Sequence, residues 1–140
     1  MALEYRDVMF VKVYTGEDVI LGDKPLYKAI IEEAMRLGLA GGTTFEGTMG
    51  FAAASKKRGV GRAVNYLVSG RMDRPVTVEI VDKAENIEKI LPFLEKNAHS
   101  ALVTVRKTTI LVTDYMRRKE AEQMKQQENC GPQMQIQQQQ

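Results

Sequence analysis

Pro75-Val76-Thr77-Val78-Glu79-Ile80-Val81-Asp82, continued by Lys83 to Leu94, decides the fold. Val76, Val78 and Ile80 share one parity and Thr77 and Glu79 the other, which is the period of a strand with one buried face. Ile87, Ile90, Leu91 and Leu94 then recur at three- and four-residue steps, the apolar stripe of a helix. Asp82 with Glu85 three residues on has the spacing of a capping box, so the helix is expected to start at Asp82. Pro92 removes one intrahelical hydrogen bond and is expected to bend or shorten that helix. A strand over Ala101–Arg106 follows, with Thr109–Val112 as a short fifth strand.

Working back along the chain, the same strand–helix–strand order occurs once before. Met9, Val11 and Val13 alternate with Phe10, Lys12 and Tyr14 in a first strand over 8–14. Pro25 suits the start of a helix, Leu26, Ile30, Ala34 and Leu37 form its stripe, and Gly38 suits its end. A second strand is expected from about Gly42 to Phe51. Two such units predict an α+β, ferredoxin-like β-α-β-β-α-β sandwich, with both helices on one face of an antiparallel sheet. The other face would carry Phe10, Lys12, Tyr14, Glu79, Thr104 and Arg106, a mixture that predicts contact between copies of the chain.

The link between the two central strands is far longer than a hairpin loop. Over 52–74 it holds Lys56, Lys57, Arg58, Arg62, Arg71 and Arg74 against Asp73 alone, six minus one, or +5. The whole chain is only +2, so the rest carries −3. Gly47, Gly50, Gly59, Gly61 and Gly70 allow close approach of a ligand, and backbone amides in such turns can cradle an anion. The glycines match neither a Walker loop nor a dinucleotide fingerprint.

The 140 residues divide into a domain over 1–115 and a glutamine-rich tail over 116–140. The tail is expected to be disordered apart from a short helix over Met116–Glu122. One cysteine, Cys130, excludes an internal disulfide framework and a cysteine-based zinc site. One histidine, His99, excludes sites that need two imidazoles, and no Ser or Cys nucleophile can be placed beside it. No catalytic residue is therefore assigned. Asp23, Glu79 and Asp82 are the acids that a metal would call on, and no metal site is expected from them. Aromatic residues make up 6% of the chain and only Tyr66 lies within the basic link, so no nucleic-acid partner is expected. The N-terminal stretch lacks the form of a signal peptide and no run is long enough to span a membrane, which predicts a cytoplasmic protein.

Lys24-Pro25-Leu26-Tyr27, Gly47-Thr48-Met49-Gly50-Phe51 and Pro75–Asp82, at their spacing, resemble a small bacterial and archaeal family catalogued only as a domain of unknown function. That family is placed in the PII-like signalling superfamily, and the likeness covers about residues 8–113. The resemblance implies a compact homotrimer that binds an adenine nucleotide or another small anionic effector between subunits. It implies that 52–74 corresponds to a T-loop, which engages a membrane transporter or an enzyme. By the same resemblance Gly47, Thr48, Met49 and Gly50 lie at the base of the loop, and Lys56, Lys57, Arg58 and Arg62 within reach of phosphates. His99, in the turn after the second helix, and Arg106, at the end of strand four, are the remaining ligand candidates. The histidine usual in the family just before the Lys-Pro-Leu block is replaced here by Leu21-Gly22-Asp23. The alternative is a module that docks on an acidic or membrane-protein partner without any effector.

Overall fold

A computed structural model describes residues 2–48, 50 and 74–136, with backbone alone for 131–136. Its elements in chain order are β1 (Tyr5–Gly16), β2 (Ile20–Leu21), β3 (Lys24–Pro25), α1 (Leu26–Arg36), β4 (Gly42–Glu46), β5 (Pro75–Asp82), α2 (Ala84–Asn97), β6 (Leu102–Leu111) and α3 (Asp114–Ile136). They form two compact units, Asp7–Thr108 and Met1–Arg6 with Thr109–Gln140.

The four long strands lie in the order β4-β5-β1-β6, with β5 antiparallel to both β1 and β4. Counting only these strands, the order is second, third, first, fourth, which is the ferredoxin-like arrangement. The chain has the predicted α+β fold. Val11 and Val13 of β1, Val78 and Ile80 of β5, Leu26, Ile30 and Ala34 of α1, and Ile87, Ile90 and Leu94 of α2 make one buried cluster. Both helices therefore cover one face of the sheet. Sequence periodicity locates every strand and helix residue of that cluster, because one-sided burial imposes a period of two on strands and about 3.6 on helices.

Helix α1 ends in a Schellman turn. The Gly38 amide donates to the Met35 carbonyl at 3.1 Å and the Leu39 amide to the Ala34 carbonyl at 3.0 Å. Gly38 takes the required left-handed backbone, at φ +76°.

Four expectations for the strands and first two helices change. The second strand stops at Glu46, so Gly47, Thr48 and Gly50 lie beyond it. Gly47 donates its amide to the Pro75 carbonyl at 2.7 Å, but Pro75 has no N–H to return, and the ladder ends there. Helix α2 starts at Ala84, with Lys83 rather than Asp82 as its cap residue. Asp82 instead closes β5, buried to 8% exposure, and its carboxylate accepts from the Ala40 amide, the Lys83 amide and the Asn86 side chain. Pro92 does not shorten α2: it is exposed, as is Glu88, whose carbonyl loses its donor on the side open to water. Finally, Ala101–Arg106 and Thr109–Val112 are not two strands. β6 runs unbroken from Leu102 to Leu111, since Lys107-Thr108 holds no turn-forming residue.

In the second unit, the Val112 amide donates to the Glu4 carbonyl at 2.9 Å. Thr113 caps α3, accepting from the Met116 amide at 3.3 Å, and Asp114 adds a favourable negative charge to its first turn. Arg117 pairs with Glu4 and Asp114, and Arg6 with Glu120. Where fraying is expected after Glu122, the helix continues to Ile136. Residues 121–130 are all exposed, so that stretch rests on helix-forming residues rather than on packing.

Candidate functional site

Gly47, Thr48 and Gly50 stand where β4 leaves the sheet, and Arg74-Pro75 stands where β5 enters it. The two ends meet closely. A Cβ on Gly47 would lie 2.6 Å from the Pro75 ring, and one on Gly50 would lie 3.1 Å from it. Glycine is favoured at Gly47 because a side chain there would collide with the Pro75 ring. Beside this junction the Glu17 amide donates to the Arg74 carbonyl at 3.0 Å. The Glu17 carboxylate in turn accepts from the Arg74 amide at 3.4 Å. The Arg74 guanidinium pairs with Glu46 at 3.2 Å. The two ends that flank residues 51–73 thus form a footing closed by backbone contacts, with Arg74, Glu17 and Glu46 beside it among the described residues.

Sequence reasoning missed Glu17 and Arg74 as parts of this footing. The signal was the register: Gly16 lies opposite Pro75, so the residues just beyond each must meet. Met49, Lys56, Lys57, Arg58 and Arg62 lie outside the described residues.

His99 sits in a different contact. Its Nε2 lies 3.1 Å from the Ile20 carbonyl oxygen and its Nδ1 lies 2.9 Å from that of Asn97. The turn that holds it is tightly specified. The His99 amide donates to the Asn97 carbonyl at 2.8 Å around Ala98, whose φ of −80° and ψ of 52° are those of an inverse γ-turn. Ser100 then takes a positive φ of 54°, which is unusual outside glycine. On the other side, Gly22-Asp23 forms the two-residue turn of the β2–β3 hairpin, with Gly22 at φ +66°. His99 therefore ties this hairpin to the turn after α2.

Arg106 lies on the outer face of the sheet, its guanidinium 4.5 Å from the centroid of the Phe10 ring. Lys12, on the same face, pairs with Glu79 at 3.3 Å and lies 5.3 Å from the centroid of Tyr14. Hydrogen bonding to Tyr14, and then to Glu79, raises Lys12 above the ordinary lysine value. Tyr14, Phe45 and Leu102 remain exposed on this face. Glu79 and Asp82 differ in parity, so they point to opposite sides and cannot share a metal ion. Among the described residues no group of three or more acidic, histidine or cysteine side chains converges. None of the described helices is long and apolar enough to cross a membrane.

The family model DUF190, described as "Uncharacterized ACR, COG1993", matches residues 8–110. A UPF0166 protein of Aquifex aeolicus (strain VF5) is 31% identical over 101 residues, covering 72% of this chain and 90% of that protein. Among solved structures, the apo form of CPII from Thiomonas intermedia K12, a nitrogen regulatory PII-like protein, aligns at 16% identity. It covers 80% of this chain and 100% of that one, at a TM-score of 0.46. CPII bound to ADP and bicarbonate aligns at 17% identity over 78% of this chain and 93% of that one, at a TM-score of 0.47.

Proposed function

The chain belongs to the DUF190 family, and from that premise we propose that it works as a PII-like regulator rather than a catalyst. Three copies associate through the outer sheet face. A small anionic effector, an adenine nucleotide in the first instance, binds between copies at the footing around Gly47, Thr48 and Gly50. The basic segment that follows responds to it and engages a target protein.

The observation that carries this reading is the footing itself. Residues 52–73, five cations against Asp73 or +4, are joined to one point of the sheet, where glycine backbone, Arg74, Glu17 and Glu46 meet. Cationic side chains joined to a glycine turn suit phosphates, since each charge-assisted hydrogen bond contributes about 1.5–3 kcal/mol. A long segment held at a fixed base is also suited to an ordering switch. The contacts of His99 favour regulation over catalysis, because both ring nitrogens face backbone carbonyls. Tyr14, Phe45 and Leu102 supply exposed apolar surface for self-association.

Isothermal titration calorimetry against ATP, ADP, AMP and cyclic dinucleotides tests the effector. Saturable binding of one of them at micromolar to low-millimolar concentration supports the proposal. Absence of heat and of competition for all of them removes the nucleotide.

A further inference from the structure

A continuous set of hydrogen bonds joins the footing of the basic segment to the turn after α2. It starts at Gly47–Pro75 and passes through the paired Arg74 and Glu17 to Gly16. From there the Val19 amide donates to the Gly16 carbonyl at 3.2 Å, and the Leu26 amide to the Val19 carbonyl at 2.8 Å, which fixes the β2–β3 hairpin on the start of α1. The Ile20 carbonyl of that hairpin lies 3.1 Å from His99 Nε2, and His99 is held by the γ-turn at Ala98 and the left-handed Ser100. Residues 16–25 thus lie between two sites far apart in sequence; at the footing the Glu17 amide and carboxylate both meet Arg74, and at the turn the His99 ring meets Ile20.

We propose that the 16–25 hairpin is a coupling element. It transmits a change at the Gly47–Arg74 footing to the 97–101 turn, and a change at the turn back to the footing. This is a device built into the fold. It rests on the proposed function only in treating the footing as the working end, and its test needs no ligand. The physical basis is that the hairpin's two-residue turn and its backbone bonds to Gly16 and Leu26 leave it little internal freedom, so it moves as a unit. Contiguity alone does not establish coupling; a shift at each end caused by a change at the other does. Thermodynamic linkage also requires the effect to be reciprocal.

Native-state amide hydrogen exchange on the full chain supplies the test, read residue by residue. His99→Phe removes the bond to Ile20. It is expected to speed exchange of the Glu17 and Arg74 amides roughly two- to tenfold, the equivalent of about one net hydrogen bond. Glu17→Ala, at the other end, is expected to speed exchange of the Ala98 and His99 amides by a similar factor. The Val78 and Ile80 amides in the central strand report global stability and should keep their wild-type rates in both variants. His99→Gln, which restores one donor, should return the Glu17 and Arg74 amides toward wild type. Should His99→Phe prove poorly folded, His99→Ala, which also lacks the ring nitrogens, takes its place in the same comparison. Acceleration confined to the hairpin and the 97–101 turn, with the footing amides unchanged, overturns the proposal. An effect that travels in one direction only also overturns it.

Discussion

Asp82 shows how one side chain can be read correctly in type and wrongly in role. Its short acidic side chain next to a helix start suggests a cap, and the carboxylate does collect nearby donors. It collects them from three places, the Ala40 amide, the Lys83 amide and the Asn86 side chain, and so binds the end of β5 to the loop after α1 and the start of α2. Asp82→Ala is expected to destabilise the protein by about 1–3 kcal/mol, the cost of leaving partly buried donors unpaired, measured by urea denaturation. Thr15 is the opposite case. Its hydroxyl is buried at 7% residue exposure and has no hydrogen-bond partner among the described residues. Thr15→Val keeps the shape and removes that hydroxyl, so a gain of about 1 kcal/mol is expected in the same assay. A loss of stability would mean that the hydroxyl has a partner.

Among the elements, helix α2 carries an internal defect that the fold tolerates. Pro92 removes one backbone donor, yet the helix spans Ala84–Asn97, because Ile87, Ile90 and Leu94 hold it to the sheet. Pro92→Ala restores the donor to Glu88 at an exposed site. An increase in stability of about 1–3 kcal/mol is expected from thermal and urea unfolding. An unchanged midpoint would show that the proline already costs nothing where it stands. The legibility of the elements follows from the same physics. The buried stripes of β1, α1, β5 and α2 were readable because one face of each must be apolar. Element ends were harder. β4 stops where it does because a proline lies across from Gly47, a fact of pairing that no local window contains. β6 runs through where two strands were expected, because apolar alternation weakens over Arg106-Lys107-Thr108 without any residue that would break a strand. The candidate site was half legible. Its glycines announce a close approach, but Glu17 and Arg74 join them only through the strand register.

At the scale of the molecule, the account makes the outer sheet face an interface between copies. Tyr14 and Phe45 stay exposed there beside paired charges, with Lys12 held between Tyr14 and Glu79. Sedimentation should report an assembly of about 47 kDa, three times the 15.7 kDa chain. The double substitution Tyr14→Glu with Phe45→Glu should shift it toward monomer while leaving circular dichroism intact. A monomeric wild type at tens of micromolar would remove the interface and any cleft built from two copies. The most direct measurement of the central claim is a crystal structure grown with a mixture of ATP, ADP and AMP. The account predicts nucleotide density between neighbouring copies, its phosphates against the Gly47–Gly50 backbone and the adjoining basic segment. Copies that associate with that cleft filled by their own side chains, or nucleotide bound only at a site remote from Gly47, would contradict it.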